Sequence, residues 1–187
     1  MDAIEAIETR RTIGRLVEPA PGQEALARAF AAAMLAPDHK RLRPWRFLVI
    51  EGCARRALGA LIAKSLKQRK PDTTDDDMER ETAKSLRAPM IIVAVAKVRP
   101  DAGIPEVEQF LAVGAATQNL ILALHAQGFG TAWKTGKGAY DPIVTQGLGL
   151  SPDEHIVGFV YAGSMSAPPP PPPSPPDYRD FVRAWRG

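Results

Sequence analysis

The sequence predicts a layered α/β (α+β) domain, and three observations carry that prediction. Short apolar runs of strand type alternate with longer segments of helical period. The run Met90-Ile91-Ile92-Val93-Ala94-Val95-Ala96 is continuously apolar, as a strand buried on both faces must be. Residues 106–127 are apolar almost all round, which demands burial. About four strands and five or more helices in irregular alternation exclude a helix bundle and an all-β barrel.

In chain order, Asp2 and Glu5 have the spacing of a capping box, and Ile4 and Ile7 give the helix that follows an apolar face. Pro19-Ala20-Pro21-Gly22 is a connector. Residues 23–35 form a second helix, with Leu26, Phe30, Ala33 and Met34 at helical spacing, ended by Pro37. Residues 46–51 read as a short buried strand and 54–70 as a helix. The charge-dense stretch 72–81 reads as a solvated or mobile surface segment. Pro89 opens the central strand. The helix 106–127 closes at Gly128 and places Ala112, Ala115, Ala116, Asn119 and Ala123 on one face of small residues. Burial in a core or in a subunit interface both account for it, and the interface is favoured at this chain length. Thr131-Ala132-Trp133 is a strand candidate, Asp141-Pro142 opens a helix to about residue 148, and 156–161 is the last core strand. Beyond it, prolines at 168–173, 175 and 176 impose an extended polyproline helix. The run is a stiff spacer or a ligand for a proline-binding module; as a spacer it carries Tyr178, Phe181 and Trp185 away from the body to dock elsewhere.

The chain of 187 residues suffices for one domain with a substantial core. A net charge of +3 is too small to argue for nucleic acid, yet it does not repel an anionic ligand. The single cysteine, Cys53, excludes an internal disulfide, fits a reducing cytoplasm, and reads as a half-buried structural residue. No targeting segment is visible, and the most strongly apolar stretches, 90–96 and 120–124, are too short to span a bilayer. His39, His125 and His155 are scattered without partners at metal-ligand spacing, and no serine has the setting of a nucleophile elbow. Gly128-Phe129-Gly130 follows a helix and lacks a third glycine, so no conventional dinucleotide fingerprint is present. A chain so poor in acid–base pairs leaves any reactivity to a cofactor.

Arg10-Arg11-Thr12, with Arg15 close behind, is the one cluster with phosphate-binding chemistry. Guanidinium forks pair with phosphate oxygens, and a neighbouring hydroxyl adds a hydrogen bond. Alone, the cluster reads more simply as a basic helix end complementing the helix dipole. Trp133 divides evenly between core packing and stacking on a ligand.

In order and spacing, several segments together resemble the FMN-dependent nitroreductase family, most closely its short bacterial branch. They are Arg10-Arg11-Thr12-Ile13-Gly14-Arg15, Ala36-Pro37-Asp38-His39-Lys40 leading to Pro44-Trp45-Arg46-Phe47, Gly114 through Leu120, Gly128 through Gly136, and Tyr161-Ala162-Gly163. The resemblance spans residues 2 to about 163. It implies a three-layer fold with a mostly antiparallel sheet flanked by helices, in an interlocked homodimer with FMN at the subunit interface. Arg10, Arg11 and Thr12 match the segment that grips the FMN phosphate and ribityl chain. Leu35 and Pro37-Asp38-His39 match the loop by which the second subunit covers the flavin. Trp133, Lys134 and Thr135 match the segment against the cofactor. The implied reaction passes electrons from NADH or NADPH through bound FMN to nitroaromatics, quinones or similar conjugated acceptors. A flavin-binding protein of the same fold with another redox role is the alternative. The implied division is a flavin-binding body, 1–163, and a proline-rich arm, 164–187.

Three departures stand out. Thr12 replaces a usual serine and keeps the hydroxyl. Arg41 and Arg43 stand where amides are common, which makes the acceptor pocket unusually basic. The tail lacks a basic pair after the last strand, and Lys134 is a candidate to supply part of that charge.

Overall fold

The computed structural model describes residues 1–169, 171–172 and 174–187. A continuously apolar segment can satisfy its backbone polar groups only inside a sheet, and Met90–Lys97 (β2) is central, with Met90 to Ala96 fully buried. Trp45–Glu51 (β1) pairs on one side of it and Glu154–Gly163 (β4) on the other, and Gly130–Lys134 (β3) completes the order β1-β2-β4-β3, antiparallel throughout. Alternation of side chains sends Ile91, Val93, Phe159 and Tyr161 to one face and Met90, Ile92, Val160 and Ala162 to the other.

The second face is covered by Gln23–Ala33 (α2) and Glu106–Ala126 (α5). These helices run antiparallel, tied by Gln127 Nε2 donating to Ala25 O and Asn119 Nδ2 donating to Ala32 O, both 3.2 Å. The first face is covered by Ala54–Arg69 (α3) and Pro142–Gly147 (α6). Helices, sheet and helices thus give the three expected layers. Among the described helices, α5 alone is long and apolar enough to cross a membrane; here Val113, Leu120 and Leu124 are buried without residue against the sheet.

Four expectations need correction. The stretch 72–81 is mostly exposed, as a solvated surface segment should be, but it is helical: Thr74 and Asp77 form a capping box that starts the helix Asp75–Ala83 (α4). That helix packs on α3 at Gly59, where an added Cβ would lie 2.4 Å from Thr82 O and 2.5 Å from Ser85 Oγ. On Ala3–Thr9 (α1) the capping box of Asp2 and Glu5 is present, but Ile4 and Ile7 point outward and Ala6 is the buried residue. On α5, Ala112 and Ala116 face inward, and the stripe left open carries Val107 and Leu111 instead. Cys53 is exposed, at the start of α3.

After Ser164, whose backbone pairs with Val17, the arm has no strand or α-helix among its described residues. Pro170 and Pro173 of the expected polyproline run lie outside the described residues. Tyr178, Phe181 and Trp185 are all exposed, Trp185 at 91%.

Candidate functional site

The N-terminal segment after α1 is threaded along the sheet by backbone hydrogen bonds, and that threading builds the site. Ile13 N donates to Thr131 O at 2.9 Å, Leu16 N to Arg87 O at 2.8 Å, and Val17 N to Ser164 O at 2.9 Å. Thr12 is therefore bridged to Thr131 on β3, and Arg15 is brought beside Arg87 at the entry to β2. A groove of about 460 Å³ follows, lined by Gly14, Arg15, Leu16, Val17, Leu86 and Arg87 among others.

Arg87 also lines a second cleft, of about 300 Å³, on the α3 side of the sheet. Its floor is Phe159 and Tyr161 with Ile62 and Leu66, and its rim carries Arg69, Lys84, Arg87, Lys134 and Lys137 against one carboxylate, Glu81. Two of these cations are engaged: Arg69 reaches Asp141 Oδ2 at 3.5 Å and Lys84 pairs with Glu81. Among the described residues no carboxylate pairs with Arg87, Lys134 or Lys137. The ammonium of Lys134 lies 5.4 Å from the centroid of the Tyr161 ring, a cation–π contact. Burial raises the Tyr161 pKa, so its hydroxyl stays neutral under the rim of cations. Asp141 is held below the usual carboxylate range, first by the Ser65 hydroxyl (2.6 Å) and then by Ile143 N and Arg69.

The eight residues singled out in the sequence fall into separate places. Arg10, Arg11 and Thr12 run to the edge of β3, where Trp133 and Lys134 follow, with Thr135 just beyond. Arg11 turns inward: Nη1 donates to Glu8 O at 2.8 Å and Arg10 O at 2.6 Å, which caps the end of α1. Its Nε and Nη2 are buried and, among the described residues, without a partner, two orphan donors that an anion would satisfy. Beside them, Thr9 Oγ1 stands 2.9 Å from His125 Nε2, and the pKa of His125 is lowered by burial and by Arg10 and Arg11. On β3, Trp133 and Lys134 point to opposite faces. Lys134 and Thr135 line the cleft, while Trp133 packs on the α2–α5 side, its ring lying over Gly158, where a Cβ would come 2.0 Å from Nε1.

Leu35 and His39 are elsewhere. Leu35 is 83% exposed just past α2, and His39 Nδ1 pairs with Glu108 Oε2 at 2.8 Å near the start of α5. Arg10 and Arg11 lie near His125, at the other end of α5. Seventeen residues separate Glu108 from His125, about 25 Å at 1.5 Å per residue. His39 also sits on the helical layer opposite the cleft. One chain cannot close both groups on a single ligand.

His39 belongs to a backbone segment of unusual shape. Lys40, Arg41 and Arg43 all take positive φ, 55°, 55° and 50°. Such conformations cost about 1–3 kcal/mol each for side-chain-bearing residues and persist only where neighbours enforce them. Here Asp38 is the clasp, its carboxylate accepting from Arg43 N and its carbonyl from Arg41 N.

Arg69, Lys84, Arg87 and Lys137 were missed as candidates in the sequence because each stands alone in a different segment. Only the fold converges them. A further groove, of about 450 Å³ and lined by Phe110, Tyr140 and His155, has its one carboxylate consumed: Glu154 takes both arms of Arg46, at 2.6 and 2.8 Å.

Comparison with known proteins supplies a family and a fold. A family model described as "Nitroreductase family" matches residues 7–164. The Escherichia coli K12 protein YdjA, named for an inferred NAD(P)H nitroreductase activity, is 37% identical over 182 residues, covering 97% of this chain and 98% of its own. A nitroreductase-like family protein from Bacillus cereus superposes with TM-score 0.88 at 24% identity, over 100% of this chain and 97% of that one. A Desulfovibrio desulfuricans protein assigned as a nitroreductase and crystallised with FMN superposes with TM-score 0.75 at 26% identity, over 98% and 96% of the two chains.

Proposed function

The chain belongs to the nitroreductase family, and from that premise we propose that it is an FMN-dependent oxidoreductase using NADH or NADPH. The observation that carries the reading is the cleft with an aromatic floor and a rim of cations, which shares Arg87 with the groove beside Arg15. A flat ring system ending in a phosphate fits that combination. Bound FMN would supply the redox chemistry, taking electrons from the nicotinamide and giving them to a nitroaromatic, quinone or similar conjugated acceptor.

The chain's own contribution is binding and charge. Phe159 and Tyr161 present an apolar floor that excludes water from one face of a planar ligand. Lys134, fixed over Tyr161, places a positive charge where negative charge develops on reduction. Arg10, Thr12, Arg15 and Arg87 are assigned to the phosphate end, with Arg87 standing in for the basic pair missing just after the last strand. Trp133 supports the sheet behind the site by packing on Gly158.

The separation of His39 from Arg10 supports a homodimer in which Leu35 and the Pro37-Asp38-His39 turn of one chain cover the cleft of the other. The exposed Val107 and Leu111 stripe on α5, with Ile4 and Ile7 on α1, supplies apolar surface for such pairing. Residues 1–163 are the flavin-binding body and 164–187 an arm whose Tyr178, Phe181 and Trp185 dock on the second chain. Cytoplasmic residence accords with one exposed, unpaired cysteine.

The test is an absorption spectrum of the purified protein before and after anaerobic NADPH or NADH. A yellow protein bleached by either nucleotide is expected. A colourless protein that takes up no added FMN ends the reading, and tight FMN binding without bleaching assigns another redox role. Arg10→Ala and Arg87→Ala should each weaken FMN binding by about 1–3 kcal/mol, read by flavin fluorescence titration.

A further inference from the structure

The strained basic turn bears on which acceptor the site takes. Lys40, Arg41 and Arg43 are exposed, and among the described residues none of them has a carboxylate partner. Their backbones are held in the left-handed region by Asp38, and the turn is anchored to the body by His39 on Glu108 and by Lys97 N donating to Pro44 O at 2.7 Å. A flexible surface loop would spread like charges apart and relax to negative φ. This one holds three cationic residues within four positions of the chain at a conformational cost, which is the pattern of a preorganised anion site. On the other side of the proposed interface, Lys134 and Lys137 line the cleft without carboxylate partners.

The geometry points to a conjugated acceptor that itself carries a negative charge, such as a carboxylated or sulfonated nitroaromatic or quinone. This inference rests on the two-chain flavin reductase reading. There the turn of one chain faces the cleft of the other, and the anionic substituent lies between Lys40, Arg41 and Arg43 and the Lys134–Lys137 rim. For a nitro compound the two-electron step is ArNO₂ + NADPH + H⁺ → ArNO + NADP⁺ + H₂O, and the charged substituent is unchanged by it. Charge at the mouth of a cleft concentrates and steers such a ligand, and the benefit falls as salt screens it.

The experiment compares para-nitrobenzoate with the neutral para-nitrobenzamide on the full-length, FMN-saturated protein at low and high ionic strength. The amide is the more electron-poor ring, so intrinsic reactivity favours it. A kcat/KM ratio of about tenfold or more for the carboxylate over the amide is expected at low salt, shrinking several-fold at high salt. The ratio should also fall about tenfold in the R41Q/R43Q double variant. Because that variant sits on strained backbone, the salt dependence of the unaltered protein stands as the independent measurement. A ratio near one at low salt, or a ratio indifferent to both salt and the double variant, overturns the inference while leaving the flavin reductase reading in place. A protein whose flavin is bleached by NADPH or NADH but that reduces neither compound also overturns only the inference, whereas a protein without a bleachable flavin ends both.

Discussion

Glu154 illustrates how much one side chain can settle. Arg46 donates to both of its carboxylate oxygens, Ser151 N adds a third hydrogen bond, and its pKa drops from 4.5 to about 2, with Arg46 the largest cause. The folded state therefore favours the ionised form. Its stabilisation is complete above the unfolded pKa near 4.5 and is lost as pH falls toward 2. Glu154→Gln should cost about 1–3 kcal/mol at neutral pH in urea unfolding, and the gap between variant and parent should narrow below about pH 4.5 and close toward about pH 2. Trp133 shows what a residue's neighbours in sequence cannot tell. Its polar, glycine-rich flanks left stacking on a ligand and core packing equally open. The strand's alternation puts Trp133 against the α2–α5 side, because Lys134 and not Trp133 shares a face with Tyr161. Arg11 likewise reads as one of a pair with Arg10, yet one nitrogen of its fork, Nη1, closes the end of α1.

At the scale of elements, the strands were legible in order, since runs such as 90–96 and 156–161 have no other way to be buried. Boundaries moved by a residue or two, and β4 proved longer, Glu154–Gly163, because pairing with β2 carries it past its apolar stretch. The helix α4 was not legible from composition. Its sequence is dominated by acidic residues, and only the Thr74–Asp77 spacing signalled a start. What holds it is a tertiary contact at Gly59, which no local pattern announces. Gly59→Ala should push α4 and the turn Lys84–Leu86 off α3, costing about 1–3 kcal/mol and lowering Tm by about 2–10 °C by circular dichroism. Glu81, Lys84 and Ser85 line the cleft, so FMN affinity should fall in the same variant. The convergence of Arg69, Lys84, Arg87 and Lys137 was hidden for the same reason: it is a product of α3, α4, β2 and β3 meeting, and each cation alone is an ordinary surface residue.

For the whole molecule, α5 is the organising member. It packs one side on the sheet, and its open stripe with Leu111, 67% exposed, is assigned to a second chain. Leu111→Arg should shift the protein from dimer to monomer in analytical ultracentrifugation while circular dichroism of the monomer stays native-like, because Leu111 supports nothing inside its own chain. An unchanged dimer would place the interface elsewhere. The span of about 25 Å between the His39 and Arg10 ends of α5 has a thermodynamic consequence. If two chains must each lend one end to a flavin, chain association and flavin uptake are linked equilibria. Each then tightens the other by mass action, and the apparent flavin dissociation constant depends on the protein's own concentration. Dilution alone would loosen the cofactor, and scarce flavin would thin the population of paired chains.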